Sequence, residues 1–309
     1  MTEFDFSTTL GPAWFPTPLF TASGCASSGK ELSQFFPLRD IGAIVTKSIM
    51  LKARPGRPTP RMAETPSGML NSIGLQGPGI DAFLANDVPW LLQHNARVIV
   101  SIAGENVDEY AVLARKLRSA GNISAVEVNI SCPNVENRGL VFACDPNASR
   151  AVVDGVRRVL GGDIPILVKL SPDVTDIVEI ARGVIDAGAD GLSLINTILG
   201  MVINVDTMRP HLAGKTGGLS GPAIRPVAVR AIYQVHQAFP KIPILGMGGV
   251  RSGRDALELV LAGASGVSVG TATFSNPSAV MNVQNELREL LVRKGFNSLK
   301  DAVGFAHRE

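Results

Sequence analysis

Apolar and polar positions alternate through Val126-Glu127-Val128-Asn129-Ile130, and the alternation stops at Ser131-Cys132-Pro133-Asn134. A period of two is the signature of a β-strand. Pro133 ends it, because proline has no N–H for a ladder and fixes its own φ. The same reading predicts strands at 19–22, 43–46, 97–102, 125–130, 164–170, 191–195, 242–247 and 266–269. Helical patterning falls at 107–120, 148–160, 174–187, 223–239, 253–262 and 279–293. Strands that alternate with helices predict an α/β chain with a parallel sheet. Eight such units in 309 residues favour a closed (β/α)8 TIM barrel over an open doubly wound sheet. Three intervals break the rhythm: 48–95, 133–146 and 197–222. Each follows a strand's C-terminal end, so all three are expected as inserted loops at the barrel's C-terminal face, where function concentrates. No linker rich in Pro, Ser or charge divides the chain, and 1–309 is read as one domain.

Composition narrows the function. Apolar residues make up 45% of the chain and aromatics only 5%, as in a core of aliphatic strands under packed helices. The formal charge is +2 and no long basic run occurs, which disfavours a nucleic-acid partner. Three cysteines in this length are no disulfide framework, so a reduced, cytoplasmic setting is expected. The opening MTEFDFSTTLGPAWFP has neither the basic nor the apolar region of a signal peptide, and no apolar stretch is long enough to span a bilayer. The histidines, His94, His211, His236 and His307, lack ligand spacing, so no metal site is expected.

Several residue groups carry candidate chemistry. Cys132 stands at a strand mouth between Asn129 and Asn134, whereas Cys25 and Cys144 have no such neighbours and are read as structural. An isolated cysteine is ordinarily inert and apolar, and its place at the mouth favours the reactive reading. Gly246-Met247-Gly248-Gly249-Val250 closes the seventh strand and Gly270-Thr271 the eighth. One glycine pair makes only a tight turn. Two on adjacent strand ends favour a phosphate cradle built of backbone N–H groups. Lys47 and Lys169 end or occupy apolar strands, where a lysine either snorkels to solvent or faces an anionic ligand. Arg54, Arg57 and Arg61 read as a solvated loop face, with partner docking as the second reading.

The ordered set Thr46-Lys47-Ser48, Asn71-Ser72-Ile73-Gly74-Leu75-Gln76, Asn129-Ile130-Ser131-Cys132-Pro133-Asn134, Asn196-Thr197, Gly217-Gly218-Leu219-Ser220-Gly221-Pro222 and the two glycine loops resembles dihydroorotate dehydrogenase, from about Leu19 to Thr273. The resemblance implies an FMN-containing (β/α)8 barrel that oxidises dihydroorotate to orotate in pyrimidine synthesis. Cysteine in the base position is similar to the soluble class. The segment Arg54–Arg61 and the run Ile73–Gln76 look like its NAD+-linked branch rather than its fumarate-reducing branch. That branch implies a homodimer paired with an electron-transfer subunit, as a heterotetramer. FAD and a 2Fe-2S cluster would reside in the partner only. Gly77 stands where that branch often has asparagine, and Ser101 where an asparagine commonly reaches the flavin.

By resemblance, Cys132 is the general base. The substrate falls to Lys47, Asn71, Ser72, Ile73, Gly74, Leu75, Asn129, Asn134, Asn196 and Thr197, whose amides and hydroxyls suit a planar diamide with a carboxylate. The flavin falls to Ser23, Lys47, Ser48, Ser101, Asn129, Lys169, Ile195 and Gly221, and its phosphate to Gly248, Gly249, Gly270 and Thr271. Rival readings are the fumarate-reducing branch, another FMN barrel acting on dihydropyrimidines, and a non-catalytic phosphate-binding barrel.

Overall fold

The computed structural model describes residues 4–130 and 144–308. Eight parallel strands form its central sheet: β1 Leu19–Thr21, β2 Ile44–Val45, β3 Val98–Ile102, β4 Ala125–Asn129, β5 Ile166–Lys169, β6 Gly191–Leu194, β7 Ile244–Met247 and β8 Gly266–Val269. Their order is β1-β8-β7-β6-β5-β4-β3-β2. The two ends meet through a parallel bridge between Phe20 and Ala43, with Gly42 N donating to Leu19 O at 2.7 Å. The sheet is therefore a barrel with no free edge. Gly42 is required at this seam, because a Cβ would lie 2.7 Å from Thr17 O and 2.8 Å from Leu19 O.

Helices return the chain between strands. They are α1 Val88–Gln93, α2 Val107–Ala120, α3 Pro146–Leu160, α4 Ile177–Asp186, α5 Arg225–Ala238, α6 Gly253–Ala262 and α7 Ala279–Arg293. Helices α2, α6 and α7 match the expected bounds. Helix α3 starts two residues early, at Pro146, where proline's missing N–H costs nothing and Asp145 accepts from Asn147 N. Helix α4 starts three residues late, because Asp176 caps it through Val178 N and Glu179 N. Capping chemistry, not hydrophobic period, sets both starts.

Strand parity sorts the core into two layers. Val98, Val100 and Ile102 of β3, Val126 and Val128 of β4, and Ile166 and Val168 of β5 face outward into the helix layer. Ile99, Ala125, Leu167 and Leu245 face inward with Phe20 and Val45. Each fully buried aliphatic side chain contributes about 1.5–3 kcal/mol. An N-terminal hairpin, Thr8–Leu10 paired with Ala13–Phe15, seals the N-terminal end. Its Leu10 and Phe15 are completely buried against the inward layer. The residue pattern did not reveal this plug, since three-residue strands are too short for periodicity.

Two of the three long intervals hold more order than loops. Met62–Thr65, Gly68–Asn71, Thr216–Ser220 and Ile198–Met201 form one antiparallel sheet over the mouth. Pairing across intervals far apart in sequence satisfies backbone groups that would otherwise be stranded. The third interval, 133–146, lies outside the described residues through position 143.

Phe20 packs edge-on against Phe15 with centroids 5.0 Å apart. Phe20→Ala removes one of the two inward phenyl rings and is expected to cost about 3–5 kcal/mol, measured by urea unfolding. A loss below about 1 kcal/mol would show that the plug does not hold this end closed.

Candidate active site

The inward layer changes character toward the C-terminal ends of the strands. Along β4 it runs Ala125, Glu127, Asn129, and along β5 it runs Leu167, Lys169. Above this layer, under the four-stranded mouth sheet, lies a cavity of about 720 Å³. That is within the size range of pockets that enclose cofactors and small substrates.

The cavity gathers most of the residues singled out from the sequence. Lys47, Asn71, Ile73, Gly74, Leu75, Asn129, Asn196 and Thr197 line one part of it. Ser23, Ser48, Lys169, Ile195, Gly221, Gly248, Gly249, Gly270 and Thr271 also line it. Ser72 and Ser101 are not on the wall. Ser72 is buried and accepts from Arg57 Nη1 at 3.0 Å. Ser101 is buried behind Ser48, with the hydroxyls 3.0 Å apart. Cys132 and Asn134 lie outside the described residues.

Hydrogen bonds fix the orientation of several lining groups. Asn129 Nδ2 donates to Ser48 Oγ at 3.0 Å, and Tyr110 OH donates to the Asn129 carbonyl at 2.8 Å. Ser23 Oγ lies 3.4 Å from Ser48 Oγ, which extends the chain of hydroxyls. Asn71 Nδ2 donates to Gly218 O at 3.4 Å. Gly218 has no room for a side chain, because Thr197 packs over it. Thr197 N donates to Asn196 Oδ1 at 2.9 Å, turning that amide at the end of β6. Each amide is held by a neighbouring group of the cavity wall, so the wall orients its own polar groups.

The three arginines depart from the expected solvated face. Arg57 reaches Ser72, Arg61 Nη1 donates to Gln76 at 2.6 Å, and Arg54 pairs with Glu105 at 2.6 Å. They brace the segment that carries Ile73–Gln76 against the rest of the mouth. Guanidinium forks satisfy the carbonyl and hydroxyl acceptors of an irregular loop, which a residue pattern does not disclose.

Charge is concentrated on the cavity floor. Lys169 Nζ lies 3.9 Å from Glu127 Oε1, and both side chains are buried. At that separation the attraction is on the order of 4 kcal/mol for an effective dielectric near 20. Desolvation offsets much of it. A Cβ on Gly24 would sit 3.6 Å from Lys47 Nζ, so this ammonium runs along the loop after β1. Cys25, expected to be structural, also lines the cavity. Burial pushes its thiol up, and the charges of Lys169 and Lys47 oppose that shift. Its low sequence separation from Ser23 was the one available signal.

The opposite end of the cavity is backbone. Gly248 and Gly249 adopt φ of 130° and 74°, and a Cβ on Gly249 would meet Gly221 O at 2.9 Å. Thr271 Oγ1 donates to Ser220 Oγ at 2.8 Å, closing the wall. Arg225 at the start of α5 pairs with Asp255 and Glu258 of α6, which fixes the scaffold behind these turns. Arg251, one residue past the glycine loop, lines the same end and adds a cation there.

This donor set fits a flavin that carries a phosphate. Lysines stand where an electron-rich ring would gain from a cation, and close-packed glycines stand where a phosphate would need bare backbone. Ser268 Oγ lines the cavity, is buried, and has no hydrogen-bond partner among the described residues, as expected of a group that meets a ligand. Among those residues no group of three metal-type ligands converges.

Comparison with known proteins agrees with this geometry. The family model "Dihydroorotate dehydrogenase" matches residues 6–291. A protein of Desulforudis audaxviator is 50% identical over 291 residues, covering 94% of this chain and 94% of that protein. One of Anoxybacillus flavithermus is 48% identical over 287 residues, covering 93% and 91% respectively. One of Geotalea daltonii is 48% identical over 304 residues, covering 98% and 99%. All three are described as "Dihydroorotate dehydrogenase B (NAD(+)), catalytic subunit". With its barrel, its mouth cavity and a match along nearly its whole length, the chain belongs to the flavin-dependent dihydroorotate dehydrogenase family.

Proposed function

We propose that this chain oxidises (S)-dihydroorotate to orotate and is the catalytic subunit of an NAD+-linked enzyme. The observation that carries the reading is the single cavity in which Lys47, Asn71, Asn129, Asn196 and Thr197 meet Lys169 and the glycine loops. The names of the relatives support NAD+ as the final acceptor and a partner subunit as the route to it. The partner would carry FAD and a 2Fe-2S cluster, in a heterotetramer built on a homodimer, working in the cytosol.

Lys169, Ser48, Ser23, Ile195 and Gly221 would hold the flavin ring and ribityl chain. Gly248, Gly249, Gly270 and Thr271 would hold the phosphate. When bound, FMN supplies the acceptor for the hydride from C6 of the substrate. The remaining work falls to the protein. Cys132 takes the proton from C5, for which a thiolate or a proton relay is needed. Lys47 pairs with the substrate carboxylate. Asn71, Asn129, Asn134 and Asn196 match the donors and acceptors on the pyrimidine edge, with Thr197 adding a hydroxyl. A site built to hydrogen-bond a ring edge rejects analogues that leave its amides unpaired.

Cys132→Ala is expected to bind FMN and orotate normally while kcat falls about 10²–10⁴-fold, the usual weight of a general base. Rapid-mixing flavin reduction measures this, and full activity refutes the base assignment. Lys169→Ala is expected to slow flavin reduction and weaken flavin retention. An unchanged spectrum and reduction rate would remove Lys169 from the flavin site. Steady-state assays comparing NAD+ with fumarate, with and without the partner subunit, test the branch. Turnover of the lone chain with fumarate would move it to the fumarate-reducing branch.

A further inference from the structure

Glu127 has no place in the chemistry above. It is wholly buried, and neither carboxylate oxygen has a hydrogen-bond partner among the described residues. Its charged neighbour is Lys169, 3.9 Å away and itself 5% exposed. The register explains the pairing. Glu127 sits opposite Leu167, and Asn129, one inward step nearer the mouth, sits opposite Lys169. The lysine therefore reaches the cavity wall while the carboxylate lies below it, toward the apolar layer.

Stability alone is a poor reason for this arrangement. An apolar residue of similar volume in place of a buried charge is often neutral or stabilising when the partner charge goes too. Lys169 is the member that the cavity uses, so the carboxylate answers to the lysine. A buried ammonium without a counter-charge would shed its proton or swing toward whatever anion is near.

We propose that Glu127 is a positioning residue that tethers the Lys169 ammonium to the cavity floor and so limits how closely it approaches the flavin ring. This rests on the flavin reading given above. A cation near the ring stabilises its anionic reduced form, so the distance of that cation sets the reduction potential. Glu127 acts on the ring through Lys169. Its effect is absent where Lys169 is absent.

The test is a double-mutant cycle on the full chain with two readouts. In the first, the midpoint potential of bound flavin is measured by dye equilibration at pH 6.5. Glu127→Gln frees the ammonium and is expected to raise the potential, with a tenfold shift in the oxidised-to-reduced equilibrium equal to about 30 mV for a two-electron couple. In a Lys169→Met background the same substitution is expected to move nothing. The second readout is thermal unfolding, which needs no flavin. Glu127→Gln is expected to lower Tm by about 5 °C or more, and adding Lys169→Met to restore most of the loss. If Glu127→Gln fails to fold, Glu127→Asp keeps the charge but withdraws it, and a smaller rise in potential is expected.

An unshifted or lowered potential, or an equal shift in both Lys169 backgrounds, overturns the proposal. So does bound flavin with no thermal coupling between the two residues. Thermal coupling in a chain that binds no flavin instead overturns the functional reading, and with it any effect of Glu127 on a flavin, and leaves only the ion pair.

Discussion

The mouth of the barrel depends on a change of polarity inside it. Strand β4 presents Ala125, then Glu127, then Asn129 to the interior, and β5 presents Leu167, then Lys169. One step of two residues, about 7 Å of rise, separates a layer that could belong to any aliphatic core from one that carries charge. The lower layer is sealed by Phe20, Phe15 and Leu10, which keep water out from below. The upper layer must then satisfy its charges internally or with ligand. Low dielectric makes each such group more strongly interacting than it would be in water.

The outer structure serves that layer. The helices cover the outward faces of the strands and leave the inward faces to the site. Arg225, paired with Asp255 and Glu258, joins α5 to α6 behind the glycine turns. Above the strands, segments from two distant intervals pair into one sheet, which places Asn71 and Gly218 side by side. Asn71 and Asn129 approach the cavity from different elements and are each oriented by another group of the wall, Gly218 O for Asn71 and Ser48 Oγ for Asn129. Such mutual support is what keeps polar groups within reach of a small planar ligand.

Much of this was legible in the residues. Alternation around Val126–Ile130 and β/α spacing along the chain pointed to the barrel, and the glycine pairs at two strand ends pointed to the backbone-lined end of the cavity. Lys47 and Lys169 stood out because charge in an apolar strand is unusual. The N-terminal plug, the mouth sheet and the internal bracing by Arg57 and Arg61 were not legible. Their partners lie far away in sequence, and short strands or flexible side chains leave no periodic trace. Glu127 was visible only as the polar member of an alternating run.

The sequence by itself determined which residues of each strand share a face, because side-chain parity is a local property of an extended backbone. It also determined the inventory of amides, ammoniums and bare glycines near the strand ends. Tertiary structure decided which of these share a cavity, since closing the barrel sets strand neighbours and stagger together. It decided as well that Ser72 and Ser101 stand behind the wall, that Cys25 stands on it, and that Glu127 meets Lys169. Those outcomes follow from register between strands, a long-range quantity that no local pattern encodes.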